Sequence, residues 1–447
     1  MTDATNKTED AGRLVENLLG FIDDSPSPWH VAATVSNLLQ NHGFTQLHET
    51  ERWQLQPHSK YFVIRDDAAI IAFTSGNLNA IENCRLRIIG SHVDSPTIRI
   101  THSPEKTTSG VTRLSAEVYG GPILPTFYDR DLGIAGRVIY KDDNGDLASG
   151  LYRSQTALVR IPSLAIHMNR EVNEKGLIMD KQAQMPPILA VADGTQATSP
   201  KLQEYIAAEL QLQPEQIISW ELNLFDTQKG VIYGTEKEFF ATSRIDNLGS
   251  VHASVISLIK ASEQQSNDIC IAAMFDHEEI GSVSTTGADG TFLQDLIARI
   301  TGAADTETKQ QLFAKSTIVS CDMAHAYNPA YAEAHNSDHP IHVNRGVAIK
   351  INANKRYITD AKTEAAFINI CHKAAIPWQR YIHRANLPCG STIGSATAAN
   401  LGIKSLDIGN PIWSMHSIRE SAGVMDHLYL VEALTEFYTT DDSALCE

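Results

Sequence analysis

The chain has 447 residues, 43% of them apolar, enough for a large domain plus a smaller one around a substantial core. Its formal charge of −17 argues against nucleic acid or an anionic membrane as a partner. An acidic substrate is not excluded, because charge is screened beyond about 8 Å at physiological salt and a local cluster dominates inside a cleft.

The polar first residues, Met1-Thr2-Asp3-Ala4-Thr5-Asn6-Lys7, lack the apolar core of a signal peptide. No stretch approaches the roughly 18 uninterrupted apolar residues of a membrane span. The cysteines (Cys84, Cys270, Cys321, Cys371, Cys389, Cys446) show no CxxC pairing, so reduced thiols and a cytoplasmic protein are expected. Two helices are predicted between residues 9 and 42, the second introduced by Ser25-Pro26-Ser27-Pro28 and stopped by His42-Gly43. Strands follow as far as Pro96, and the last of them, Leu86-Arg87-Ile88-Ile89, runs into Gly90-Ser91-His92-Val93-Asp94.

From residue 97 to 235 the pattern changes. Prolines and glycines cluster, residues 114–119 alternate, and Arg137-Val138-Ile139-Tyr140 leads through Asp142 to Asp146 in a hairpin-like turn. This stretch reads as mainly β. Asp246 then opens a predicted amphipathic helix with Leu248, Val251, Val255 and Leu258 on one face. An apolar run over residues 269–275 ends in Asp276-His277-Glu278-Glu279-Ile280-Gly281. Another, residues 316–321, ends in Asp322, and residues 405–409 precede Met415-His416. A small-residue helix over 392–401, an amphipathic helix near 428–437 and an acidic tail complete the chain.

Adjacent glutamates at a strand end repel each other unless something positive sits between them. A divalent metal removes that penalty and divides the labour: one carboxylate ligates while the other remains a general base. His92, Asp246, Asp322 and His416 each stand where an apolar segment stops, and open α/β sheets gather their chemistry beyond the carboxyl ends of the strands. With one of the glutamates, these O and N donors suit two zinc ions bridged by Asp, although such a set also accepts manganese or cobalt. Asp94 is placed to orient His92 and fix its tautomer. Taken singly, each has an ordinary structural use: Asp246 as a helix cap, His92 bonded to a loop, Asp322 in a turn.

The segments from Gly90 to Pro96, Ser243-Arg244-Ile245-Asp246-Asn247, Asp276 to Ser282, Asp322-Met323-Ala324-His325, Lys350-Ile351-Asn352, Pro388 to Gly394 and Met415-His416-Ser417-Ile418-Arg419-Glu420 follow one family in order. Together they resemble the aspartyl aminopeptidases, metallopeptidase family 18, over residues 25–438. One departure is Phe127-Tyr128-Asp129-Arg130-Asp131, where the family usually begins Trp-Phe. The resemblance implies an α/β zinc-peptidase-like catalytic domain, its mixed sheet flanked by helices. That domain would comprise residues 1–96 and 236–447, interrupted by a mainly β dimerisation domain at 97–235. It further implies that His92 and Asp322 hold one zinc, Glu279 and His416 the other, with Asp246 bridging and Glu278 as base. Lys350 would face the acidic side chain of a peptide's first residue. His167 would reach into a neighbouring subunit of a homo-oligomer, a tetrahedral dodecamer in this family. The implied activity is removal of an N-terminal Asp or Glu from peptides. Its rivals are a neutral N-terminal preference, or another dinuclear zinc hydrolase such as a carboxypeptidase or deacylase.

Overall fold

The computed structural model describes residues 2–191, 201–302 and 304–441, with side chains from Lys7 onward. Cys446 and the acidic tail 442–447 lie outside the described residues. The first helix, Thr2–Asp23, begins earlier than the sequence pattern suggests, and the second, Pro28–Asn41, starts on a proline whose fixed φ suits a first turn. Gly43, at φ +80°, follows its end.

A nine-stranded sheet forms the centre. Four adjacent strands run parallel in the order Ile269–Phe275, Leu86–His92, Thr317–Cys321, Lys404–Gly409. Antiparallel neighbours flank them, Ala69–Thr74 on one side and Val347–Ile351 on the other. The sheet is therefore mixed, as expected. Its strands feed two cores by simple alternation. Cys270, Ala272 and Met274 face the helices Thr2–Asp23, Ile245–Ala261 and Val424–Thr439, in one core with Leu18, Val251, Val255 and Leu434. Ile269, Ile271 and Ala273 face the opposite layer, with Phe292, Leu296 and Leu312. Burial on both faces explains the unbroken apolar run of this strand.

The helix Ile245–Ala261 differs from the amphipathic reading. Asp246 and Asn247 have non-helical backbone angles, so the regular helix starts near Leu248. Beyond the expected apolar stripe, Ser250, His252, Ser254 and Ser257 are buried as well. Serine is small enough to let neighbouring helices approach and its hydroxyl can reach a backbone carbonyl: Ser254 Oγ donates to the Ser250 carbonyl of its own helix at 2.7 Å, and Ser257 Oγ to that of Val431 on the neighbouring helix at 3.1 Å. His252 Nδ1 lies 2.9 Å from Nε2 of His427, and its Nε2 lies 2.8 Å from Asn17 Oδ1, so two buried imidazoles join three helices.

Residues 97–226 supply a second, six-stranded sheet, wholly antiparallel, in the order 147–153, 132–141, 217–226, 97–108, 111–119, 188–191. It has its own core around Ile98, Leu114, Ile134, Tyr152 and Leu222. The hairpin turn is held by Asp142 Oδ1, which accepts from the amides of Asn144 and Asp146. Val231–Tyr233 joins a third, small sheet beside Phe239–Thr242, Glu420–Gly423, Pro411–Trp413 and Ala324–His325. No helix among the described residues is long and apolar enough to cross a membrane.

Candidate metal centre and active site

The parallel strands stop together, and their ends bring the candidate residues into one place. His92 is the last residue of its strand and pairs in register with Phe275, so the Asp276–Gly281 turn emerges beside it. Asp322 follows the next strand. Gly409, on the strand beyond, lies so close that a Cβ there would run into the Asp322 carbonyl. Asp246 arrives from the irregular first turn of its helix, and His416 from the loop after Pro411–Trp413.

Donor atoms of His92, Asp246 and Asp322 all lie within 4.8 Å of one another, as do those of Asp246, Glu279 and His416. His92 Nε2 is 3.5 Å from both Asp246 Oδ1 and Asp322 Oδ1, and His416 Nε2 is 3.4 Å from Asp246 Oδ2 and 3.3 Å from Glu279 Oε1. These separations match the edge of a tetrahedron about a metal with bonds of 2.0–2.1 Å, which is roughly 3.4 Å. Asp246 contributes one oxygen to each triad. Its Oδ1 is buried and has no hydrogen-bond partner, an arrangement that is costly unless a cation is the partner. The N-cap position of this helix falls on Arg244, so the ordinary N-cap use does not apply to Asp246.

The electrostatics point the same way. Burial disfavours a charged His92, yet Asp246, Asp322 and Asp94 outweigh it and hold the imidazole pKa well above its usual value. His416, despite its burial, is driven up to about 12 by Asp246 and Glu279. Burial, reinforced by Asp322, Glu279 and Asp94, pushes the Glu278 carboxyl up to about 8. Glu279 rises to about 7 through burial and the nearby Asp246. The enclosure demands positive charge. Residues and field together fit two divalent cations sharing Asp246.

A second layer holds these groups still. Asp94 accepts from the Glu278 amide through Oδ1 and from the Glu279 amide through Oδ2, both at 3.1 Å. His92 Nδ1 lies 3.1 Å from the Asp94 carbonyl and 3.3 Å from its Oδ1, leaving Nε2 free to face the triad. Asp94 therefore does more than orient His92; it also anchors the glutamate turn. Glu420, which has no role in the reading of the sequence, accepts from the amides of Asp246 at 2.9 Å and His416 at 2.7 Å. Ser95 Oγ donates to the Asp246 carbonyl, and Lys350 Nζ lies 3.1 Å from Asp322 Oδ2. Arg244, His277, Ser414 and His416 all have positive φ. Such residues cost about 1–3 kcal/mol each and gather at functional sites.

The second sheet and the loop that leaves it reach this centre. Tyr119 Oη donates to Asp94 Oδ2 at 2.7 Å, and the Gly121 carbonyl lies 3.0 Å from His416 Nδ1. Gly120, at φ +69°, brings its backbone so near that an added Cβ would sit 3.1 Å from Cβ of Glu279. His167 is not brought into the site. It lies in an exposed loop with Leu164, Ile166 and Met168, which are 58%, 47% and 74% exposed.

The family profile of Aminopeptidase I zinc metalloproteases (M18) matches residues 21–438. A probable M18 family aminopeptidase 2 of Ectopseudomonas mendocina (strain ymp) is 38% identical over 431 residues, covering 96% of this chain and 99% of that protein. Among solved structures, Ape4 in its cryo-EM complex with Nbr1 superposes with a TM-score of 0.93 at 32% identity, covering 97% of this chain and 86% of that one. The dodecamer of mApe1 from S. cerevisiae gives a TM-score of 0.83 at 27% identity, with 97% of both chains covered.

Proposed function

The chain belongs to the M18 family of zinc metalloproteases, and on that premise we propose that it removes a single residue, preferentially Asp or Glu, from the free amino end of peptides. The observation that carries this reading is Glu278, which stands beside two donor triads that share Asp246. His92 and Asp322 would hold one divalent cation and Glu279 and His416 the other, with Asp246 between them. Zinc is the metal of the family, and manganese and cobalt suit the same donors. Cations held there supply Lewis acidity and bring the pKa of a water toward neutrality.

The chain's own residues do the rest. Glu278 takes the water's proton as its oxygen attacks the peptide carbonyl carbon, and returns that proton to the departing amine nitrogen. A carboxyl already raised by burial is suited to hold a proton between those two events. Asp94, through two backbone amides, keeps Glu278 aimed at the water and Glu279 at its cation. Lys350 steadies Asp322 and adds positive charge on the side where an acidic substrate group would enter.

The 97–235 unit is read as the oligomerisation domain, with the chain assembling into a homo-oligomer, a tetrahedral dodecamer as the family-based form. The apolar loop around His167 supports this, as does the dodecameric state of mApe1. His167 then serves a neighbouring protomer's site, so His167→Ala should lower kcat while light scattering finds the assembly intact. A cytoplasmic location belongs to the same proposal; the described cysteines are all unpaired.

The decisive experiment is kcat/KM of the zinc-loaded protein on matched peptides beginning with free Asp, Glu or Leu, with an N-acetyl-Asp control. Rapid turnover of the Asp and Glu peptides alone is expected. Leu preference would discard the acidic specificity, and turnover of the blocked control would move the protein to another class of zinc amidohydrolase.

A further inference from the structure

The small third sheet borders three of the segments that carry candidate ligands. Its strands lie in the order Val231–Tyr233, Phe239–Thr242, Glu420–Gly423, Pro411–Trp413, Ala324–His325. Asp246 comes four residues after Phe239–Thr242, His416 three residues after Pro411–Trp413, and Asp322 two residues before Ala324–His325. Glu420–Gly423 lies between Phe239–Thr242 and Pro411–Trp413, with Glu420 paired to Thr242 and Ser421 to Trp413. Its opening side chain is thus flanked by the chain that runs on to Asp246 and by the loop that carries His416.

Glu420 uses this position with both oxygens. It is only 2% exposed, and it accepts the Asp246 amide on Oε2 and the His416 amide on Oε1. A carboxylate has an acceptor on each arm, which a side-chain amide lacks, and its charge strengthens both bonds. The two backbones so held belong to one donor triad, Asp246–Glu279–His416. The Arg419 guanidinium, donating to the carbonyls of Gln228, Lys229 and Ala241, fixes the chain just before the strand.

The candidate ligands do not depend on Glu420 equally. Asp246 has further anchors: its carbonyl accepts from Ser95 Oγ at 2.7 Å, and the neighbouring Asn247 side chain donates to the Cys321 carbonyl at 2.9 Å. His416 sits in a loop at φ +69°, a conformation that persists only where its surroundings over-determine it. Its carbonyl accepts the Ile123 amide at 2.9 Å and its Nδ1 faces the Gly121 carbonyl, both on the loop that leaves the antiparallel sheet. Glu420 is what ties its backbone to the small sheet. The His92–Asp322 pair is held by other groups: Asp94 beside His92, Lys350 on the Asp322 carboxylate, and the Ile408 carbonyl on the Asp322 amide at 2.9 Å.

We propose that Glu420 is a positioning residue that makes the two cation sites separable. It sets the hold on the cation of the Asp246–Glu279–His416 triad and leaves that of His92 and Asp322 to its own supports. The inference rests on the two-cation reading and adds what makes the sites unequal. Glu420→Gln keeps one accepting arm but turns an NH2 toward the other amide, so that a hydrogen bond becomes a donor facing a donor.

The test is equilibrium competition for zinc between the loaded protein and a chromophoric chelator, which counts zinc equivalents and gives a Kd for each. The wild type should hold two. In Glu420→Gln one Kd should rise about 10–100-fold, as is typical for residues that support a ligand, while the other keeps its wild-type value. Excess zinc should then restore most of the wild-type kcat, because no reacting group has changed. Both Kd values rising alike, neither rising, or a kcat that stays low with both zincs bound would each overturn the proposal. A variant that fails to fold leaves the decision to the zinc-free wild type. Hydrogen exchange at the Asp246 and His416 amides should be slow there, because Glu420 holds them before any cation arrives. Rapid exchange at those amides would show that the cations hold these backbones, and would overturn the proposal. A wild type that holds fewer than two zinc equivalents would instead bring down the two-cation reading, and the role of Glu420 with it.

Discussion

The two large sheets meet the candidate centre in different ways. The parallel strands of the nine-stranded sheet deliver side chains, since His92, the Glu278–Glu279 pair and Asp322 each follow directly where a strand ends. The antiparallel sheet of residues 97–226 delivers supports: a phenol on Asp94, a carbonyl beside His416, and a glycine backbone against Glu279. The nine-stranded sheet supplies His92, the glutamate pair and Asp322, while Asp246 comes from a helix and His416 from a loop of the small third sheet, and the antiparallel unit braces them. The lesson is that a metal site can be split between a part that carries the donors and a part that sets their precision.

The largest expected effect falls on the donor side. Asp246→Ala removes an oxygen from both triads at once, so metal content measured by mass spectrometry should collapse and activity with it. Its loss in metal affinity should exceed the roughly 10–100-fold typical of residues that only support a ligand. Glu278→Gln should separate chemistry from binding: kcat falls about 10²–10⁴-fold while two cations remain bound. If metal were lost as well, Glu278 would be a ligand and the division of labour between the glutamates would be wrong.

Asp94 stands where the two sheets meet. Asp94→Asn weakens its hold on two amides and on His92, and should cost about 10–100-fold in activity or metal affinity. Tyr119→Phe removes one hydrogen bond from the supporting side, worth about 1 kcal/mol, so kcat should fall less than about tenfold. Were Tyr119→Phe as damaging as Asp94→Asn, the antiparallel sheet would be part of the chemistry and the contrast would fail.

Acid offers the mildest way to separate the two sheets. Burial holds His252 well below its ordinary pKa, and His427 down to about 3. Between about pH 3 and 6.5 the unfolded chain therefore binds protons at these sites that the folded chain refuses. Stability should fall as the pH drops below 6.5, by at most about 1.4 kcal/mol per unit for each histidine. Hydrogen exchange at pH 5 should quicken first in the helices Thr2–Asp23 and Val424–Thr439, while residues 97–226 stay protected.

Much of the donor side was legible in the sequence because a buried parallel strand is largely apolar, and a histidine or carboxylate at its end marks the sheet's carboxyl edge. His92, Asp322 and the glutamate pair all announce themselves in this way. The supporting side was not legible. Glu420 works on backbone amides of Asp246 and His416, and an amide carries no sequence signal. The buried serines of Ile245–Ala261 were not legible either, because a serine hydroxyl that bonds a backbone carbonyl, as in Ser254 and Ser257, is polar in composition but can be buried in fact.

The contact between His416 and the Gly121 carbonyl joins one would-be metal ligand to the loop that leaves the antiparallel sheet. A displacement there would pull directly on the imidazole. If His416 holds a cation, the rate at which a chelator strips it would register any slackening of that link.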